Sequence, residues 1–173
     1  MTEFSFSEIE TERLLLTKLQ TTDWEMISFL RSDKDVNEFV KRPSAETKEK
    51  ALEFIDKISK GIESQMLYYW KLTEKGNSEM IGSICLWNFS EDGKTAEVGY
   101  DLSPKYQRKG IMNESLKSVT EFGFQKLNLD LIEAYTQYQN EPSKKLLERN
   151  GFTLVEGKKD IDNADNIVYA LKK

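Results

Sequence analysis

The stretch from Thr95 to Gln125 constrains this chain most. Thr95 to Leu102 alternates as a strand does, and Pro104 follows. Tyr106-Gln107-Arg108-Lys109-Gly110-Ile111-Met112-Asn113-Glu114-Ser115-Leu116 then opens an amphipathic helix, predicted over 109–125, that buries Met112, Leu116, Val119 and Phe122. Leu131 to Thr136 reads as the next strand. A strand–helix–strand order of this kind makes a parallel pairing. The first turn of the helix carries unpaired N–H groups and about +0.5 of an elementary charge, which favours a phosphate. Arg108 and Lys109 add cations there, and Gly110 allows close approach to the backbone. The bare reading is a strand–loop–helix cradle for a diphosphate.

Everything before that unit has the signals of an antiparallel meander. Arg13 to Leu19 reads as a first strand. Thr22-Asp23 offers a cap to a helix that carries Trp24, Ile27 and Leu30 on one face. A second helical piece is expected over 35–40, stopping before Pro43. Ser44 or a neighbour caps a longer helix with Ala51, Leu52, Ile55 and Ile58, with Gly61 as its stop. Met66 to Thr73, Met80 to Phe89 and Thr95 to Leu102 follow as strands, the turns between them being Glu74 to Ser78 and Glu91 to Lys94. After Thr136, Pro142 suits a first helical residue and Gly151 the position past a helix end. Phe152 to Val155 and Ile167 to Leu171 close a mixed α/β sheet.

Composition limits the chemistry. At 173 residues without a low-complexity linker or repeat, a single domain over 1–173 is expected. A formal charge of −5 argues against a general nucleic-acid binder. No apolar run approaches the roughly 20 residues of a membrane span, and Met1 to Ser5 lacks the basic-then-apolar order of a signal peptide. A cytoplasmic location, away from membrane and nucleic acid, is the default. Histidine is absent, which removes Ser–His and Cys–His catalysis and the usual zinc ligands. The one cysteine, Cys85, lies in the apolar run Ile81 to Trp87, where a packed thiol is favoured over a nucleophile.

The residues then carry a family resemblance. Gln107-x-x-Gly110-x-Met112 resembles the Gln/Arg-x-x-Gly-x-Gly/Ala loop of the GNAT acyltransferases, which wraps the pyrophosphate of acetyl-CoA; Met112 departs from the small final residue. Glu10 to Leu16 and Ala96 to Leu102 resemble segments of the branch containing the Rim-type ribosomal-protein N-terminal acetyltransferases. Asn140-Glu141-Pro142-Ser143 and Leu147-Glu148-Arg149-Asn150-Gly151-Phe152 resemble that branch's Asn-x-x-Ser and Leu-Glu-x-x-Gly-Phe signatures. The resemblance covers roughly residues 10–172.

It implies a GNAT-like fold whose fourth and fifth strands splay to admit the pantetheine arm, here between Val98 to Leu102 and Leu131 to Gln137. It implies acetyl-CoA as cosubstrate, with no metal. The diphosphate would meet Gln107, Arg108, Lys109, Gly110, Ile111 and Met112, mostly through main-chain N–H groups. Asn140 and Ser143 would lie near the pantetheine, and a strand N–H near Tyr100 to Leu102 would meet the oxyanion. Glu97 is the candidate base, although it alternates with Ala96 and Val98 and can equally be a solvent-facing strand residue. Ser143 is the candidate acid for the CoA thiolate, with Tyr138 as backup; a helix-capping hydroxyl is the plainer reading of Ser143. Tyr68, Tyr69, Trp70 and Trp87 are either core or acceptor-pocket residues. The implied activity is transfer of an acetyl group to a primary amine, on a peptide N-terminus or a small molecule, by direct attack in a ternary complex. The rival is a non-catalytic acyl-CoA-binding or sensing module. Monomer and homodimer are both compatible with the sequence.

Overall fold

The computed structural model describes residues 5–173. Eight strands form one sheet: β1 (Ile9–Glu10), β2 (Leu14–Lys18), β3 (Tyr68–Glu74), β4 (Gly82–Trp87), β5 (Thr95–Leu102), β6 (Leu131–Gln137), β7 (Thr153–Leu154) and β8 (Asn166–Lys172). Their spatial order is β1-β2-β3-β4-β5-β6-β8-β7. Only β5 and β6 pair in parallel among the described residues, and the helix α3 (Ile111–Gln125) makes that crossover. The other helices are α1 (Trp24–Ser32), α2 (Lys48–Glu63) and α4 (Glu141–Arg149).

Strand alternation divides the core into two. Trp70 of β3 enters a cluster with Leu14, Ile84, Val98, Ile132, Leu116 of α3 and Leu147 of α4. Its neighbour Tyr69 faces the opposite way, into a cluster with Ile27 and Leu30 of α1 and Ile55, Ile58 and Ile62 of α2. The sheet therefore carries α3 and α4 on one face and α1 and α2 on the other.

Several boundaries differ from the sequence expectations, for identifiable reasons. The segment 35–40 is a run of turns: Asp33 Oδ1 accepts from the N–H groups of Asp35 and Val36, and Asn37 Nδ2 donates to Leu30 O and Asp33 O. Such side-chain bonds compete with a helical ladder. Thr47, rather than Ser44, caps α2, accepting from Lys50 N at 3.2 Å. Gly61 does not stop that helix, which continues to Glu63. A Cβ at Gly61 would come within 2.7 Å of Leu67 Cδ2, so the glycine is there for close packing. Glu141, not Pro142, begins α4, and Asn140 caps it. Gly151 takes the left-handed conformation (φ 85°) just past the helix end, as expected. No helix is long and apolar enough to cross a membrane among the described residues.

Candidate active site

β5 and β6 pair at Thr95–Leu131, Ala96–Ile132 and Glu97–Glu133, and no further. Both strands continue, β5 on β4 as far as Leu102 and β6 on β8 as far as Gln137. A wedge therefore opens between them, its vertex at Glu97. Main-chain groups in a strand point alternately to its two sides. Ser103 N donates to Ile81 O beside β4, so the N–H groups of Leu102 and Tyr100 turn toward the wedge. Tyr138 N donates to Asp165 O on the β8 side, which turns Gln137 toward the wedge from β6. The gap is lined by unpaired strand edges of the kind an extended amide-bearing chain can satisfy.

The N-terminus of α3 lies just past the open end of β5. A short 3-10 turn over Pro104–Tyr106 uses the Gln107 N–H, which donates to Pro104 O at 3.2 Å. The Gln107 side chain turns back to Leu102 O at 3.0 Å. Gln107 thus fastens the loop to β5 and has no main-chain donor to offer, contrary to its expected part. From Arg108 to Asn113 the main-chain N–H groups find no acceptor among the described residues. Arg108 (φ 63°) and Gly110 (φ 75°) are both left-handed and flank Lys109, a geometry that turns successive N–H groups into one concavity. The ammonium groups of Lys105 and Lys109 lie 5.5 and 5.6 Å from the centre of the Tyr106 ring. Donors, dipole and cations together fit a diphosphate. Met112 is 9% exposed and packs in the core with Ile111. Its bulk is directed away from the concavity, so the larger residue leaves the cradle open.

Arg13 belongs to this site although nothing local in the sequence announces it. Its Nη1 donates to Lys109 O at 2.9 Å, and its Nε pairs with Glu114 Oε1 at 2.9 Å. Thr11 Oγ1 and Arg13 N both donate to Glu114 Oε2. Desolvation pushes the Glu114 carboxyl up, but the hydrogen bonds from Thr11 and Arg13 outweigh it and hold the group below its ordinary value. The charge that Glu114 places in the first turn is thereby neutralised beside an anion cradle.

At the vertex, Glu97 Oε2 faces Asn88 Nδ2 at 3.4 Å. Desolvation pushes this carboxyl up to about 7; the Asn88 hydrogen bond opposes, and the nearby charges of Asp160 and Glu133 add to the rise. Lys158 pairs with Glu133 alongside. Ser143, in the first turn of α4, lies 2.7 Å from the Tyr100 phenol, and its N–H donates to Asn140 Oδ1 at 3.3 Å. Asn140 is thus a helix cap. Burial pushes the Tyr100 hydroxyl up to about 12, against the opposing Ser143 hydrogen bond. Tyr138 is 50% exposed, and its phenol has no hydrogen-bond partner among the described residues. Of the aromatic candidates, Tyr69 and Trp70 are core and Tyr68 packs against Trp70, Phe89 and Phe122. Trp87, opposite Glu97 and 44% exposed, is the one free to line a pocket. Cys85 is half-buried, and burial pushes its thiol up to about 12. The thiolate that a nucleophile requires is disfavoured there.

Comparison with known proteins agrees with this geometry. The family model described as an acetyltransferase (GNAT) domain matches residues 13–153. The uncharacterized N-acetyltransferase YoaA of Bacillus subtilis (strain 168) is 29% identical over 147 residues, 85% of this chain and 83% of that protein. The crystal structure of a GNAT-family acetyltransferase from Bacillus anthracis superposes with a TM-score of 0.81 at 27% identity, covering 96% of this chain and 98% of that one. Ribosomal-protein-S5-alanine acetyltransferase from Vibrio fischeri shares the fold, with a TM-score of 0.81 at 24% identity over 96% of each chain. The chain belongs to the GNAT acetyltransferase family and is an acetyl-CoA-dependent N-acetyltransferase.

Proposed function

We propose that this enzyme acetylates a primary amine, either a protein N-terminal amine or an amine on a small molecule, by direct attack within a ternary complex. The observation that carries the proposal is the vertex of the β5–β6 wedge. There a carboxyl raised to about 7 stands beside strand N–H groups with no partner in the sheet.

Bound acetyl-CoA supplies the acetyl thioester. Main-chain N–H groups from Arg108 to Met112, with Lys109 and Arg108, would hold its diphosphate at the start of α3. The wedge edges, Leu102 among them, would pair with the amides of its arm, with Asn140 and Ser143 at the α4 side. An amine arrives as an ammonium without a lone pair. Glu97 is suited to accept its proton, because a carboxyl with a value near neutrality keeps a substantial ionised fraction at working pH and is a stronger base than an ordinary carboxylate. The Tyr100 N–H is oriented to meet the charge that develops on the carbonyl oxygen. On the other side of the wedge, the Ser143 hydroxyl can give a hydrogen bond to the departing sulfur while Tyr100 donates to Ser143 Oγ. Tyr138, exposed at the surface, is less well situated for that part.

The protein-N-terminus branch draws on the fold shared with the S5-alanine acetyltransferase. The small-molecule branch draws on Trp87, an exposed aromatic beside Glu97. The test has two stages. A thermal melt with acetyl-CoA, CoA and ATP should show stabilisation by the two CoA species only; ligand at about 100 times its Kd gives roughly 2.7 kcal/mol. Thiol release from acetyl-CoA is then followed with an Ala-initiated peptide, a Ser-initiated peptide and spermidine. Turnover with none of many such amines, despite a clear CoA shift, would overturn the amine-acceptor reading.

A further inference from the structure

The segment between α1 and α2 reaches the wedge through two adjacent residues. Arg42 Nη2 pairs with Asp101 Oδ2 at 3.0 Å, the two side chains being 20% and 9% exposed. Asp101 is the second-last residue of β5. Its other oxygen accepts from Ser83 Oγ at 2.5 Å. Arg42 is held further by Leu30 O at 2.8 Å and Asn37 Oδ1 at 2.8 Å. On the other side, Lys41 Nζ lies 3.7 Å from Asp165 Oδ2, and Asp165 O takes the N–H of Tyr138 just past the end of β6. Neighbouring Cα atoms are only about 3.8 Å apart. Lys41 and Arg42 therefore bridge from the end of one splayed strand to the end of the other.

The face is fixed by alternation. Asp101, Gly99 and Glu97 share one side of β5, while Tyr100 points the opposite way to Ser143 and α4. The bridge thus crosses the open end of the wedge on the Glu97 face, opposite the helices that border the diphosphate cradle. The Arg42–Asp101 pair is partly buried and multiply bonded, so removing one partner leaves a poorly compensated charge. The Lys41–Asp165 pair, 75% and 52% exposed, is weak by comparison. One anchor is firm and the other yields readily.

We infer that Arg42 and Asp101 are positioning residues that hold the 33–43 segment across the open end of the β5–β6 wedge as a wall of the acceptor site. They thereby determine which amines reach the thioester. This rests on the acceptor lying on the Glu97 face, as proposed above. Neither residue touches the reacting atoms. Their effect is to fix the distance between the wall and Glu97, so their loss should move acceptor binding and leave the cosubstrate side unchanged.

The test uses the full chain with Asp101→Asn, which is nearly isosteric, and Arg42→Lys, which keeps the charge but loses the fork. Amide hydrogen exchange in 33–43 should rise by about tenfold in Asp101→Asn, while exchange at the start of α3 and the melting shift with CoA stay at their wild-type values. KM for whichever peptide or spermidine the wild type acetylates should rise by about tenfold or more with a smaller change in kcat. Arg42→Lys should give the same pattern at reduced size, and it carries the test if Asp101→Asn does not fold. Unchanged exchange in 33–43, or an equal loss of CoA and acceptor binding, overturns the inference. A wild type that shifts with CoA but turns over no amine fails the functional reading instead, and the exchange result still decides whether the pair holds the wall.

Discussion

The phenol of Tyr100 and the hydroxyl of Ser143 meet at 2.7 Å across the mouth of the β5–β6 wedge, joining strand β5 to the first turn of α4. The two groups are not equivalent. Burial pushes Tyr100 up to about 12, so it stays protonated at any working pH and, like the serine, can donate in this bond. With Tyr100 donating to Ser143 Oγ, the serine proton is free to turn into the wedge. Ser143→Ala should therefore lower kcat by about 10- to 100-fold, a modest share of what proton transfer contributes. Tyr100→Phe leaves the serine in place but unoriented, and the expected loss is several-fold. Steady-state rates for the two variants and the double variant check this. Equal losses for all three would fit one shared unit, and no loss in Ser143→Ala would remove the serine from the chemistry.

Glu97 should write its own titration into the rate. With its carboxyl at about 7 and the ionised form active, kcat/KM should climb with pH and level off above neutrality. Glu97→Gln should abolish that limb and lower the rate by about 10²- to 10⁴-fold. Stability moves the other way. The folded value lies above the unfolded one, so the fold favours the neutral acid. That contribution is complete below the unfolded value near 4.5 and is lost as pH rises through about 7. The midpoint of the wild type should accordingly fall relative to Glu97→Gln between acid and alkaline pH. Parallel melting curves for the two proteins across that range would contradict the raised value.

Gly110 carries the geometry of the phosphate cradle. It caps α3 with φ 75°, and a Cβ there would stand 3.3 Å from Arg13 Nη2. Gly110→Ala should weaken CoA binding measurably, since a left-handed L-residue is disfavoured by about 1–2 kcal/mol and Arg13 must also give way. Calorimetric Kd values for CoA check it. An unchanged Kd would mean that the N–H array forms without the left-handed turn.

What the sequence revealed and what it withheld follow from separation along the chain. The strand at Thr95 to Leu102, the loop that follows it and the amphipathic α3 are local patterns, and all three are present. So was Glu97 as a candidate, although alternation alone left its face open. The partners are not local. Arg13 meets Glu114 across 101 positions, Arg42 meets Asp101 across 59 and Tyr100 meets Ser143 across 43. Each contact depends on sheet register or on where α1–α2 and α4 land, which no short window contains. Gln107 shows the reverse failure. Its place in the motif suggested an N–H donor, but the 3-10 turn before it had already claimed that group.

Met112 is the position where the cradle departs from the loop pattern it resembles, and the structure separates two explanations. A residue facing the ligand would restrict the diphosphate, and shortening it would tighten binding. Met112 instead is buried in the core cluster that also holds Ile111, Leu116 and Tyr106, with its main-chain N–H still at the helix start. Met112→Ala should therefore leave a cavity and destabilise the fold by about 2–5 kcal/mol. CoA affinity, measured on the folded fraction, should stay within about twofold, because the main-chain donor is the same in alanine. A tighter Kd with little loss of stability would mean that the side chain borders the ligand after all. Denaturant unfolding together with calorimetric titration distinguishes the two, since one explanation moves only the midpoint and the other moves only the affinity.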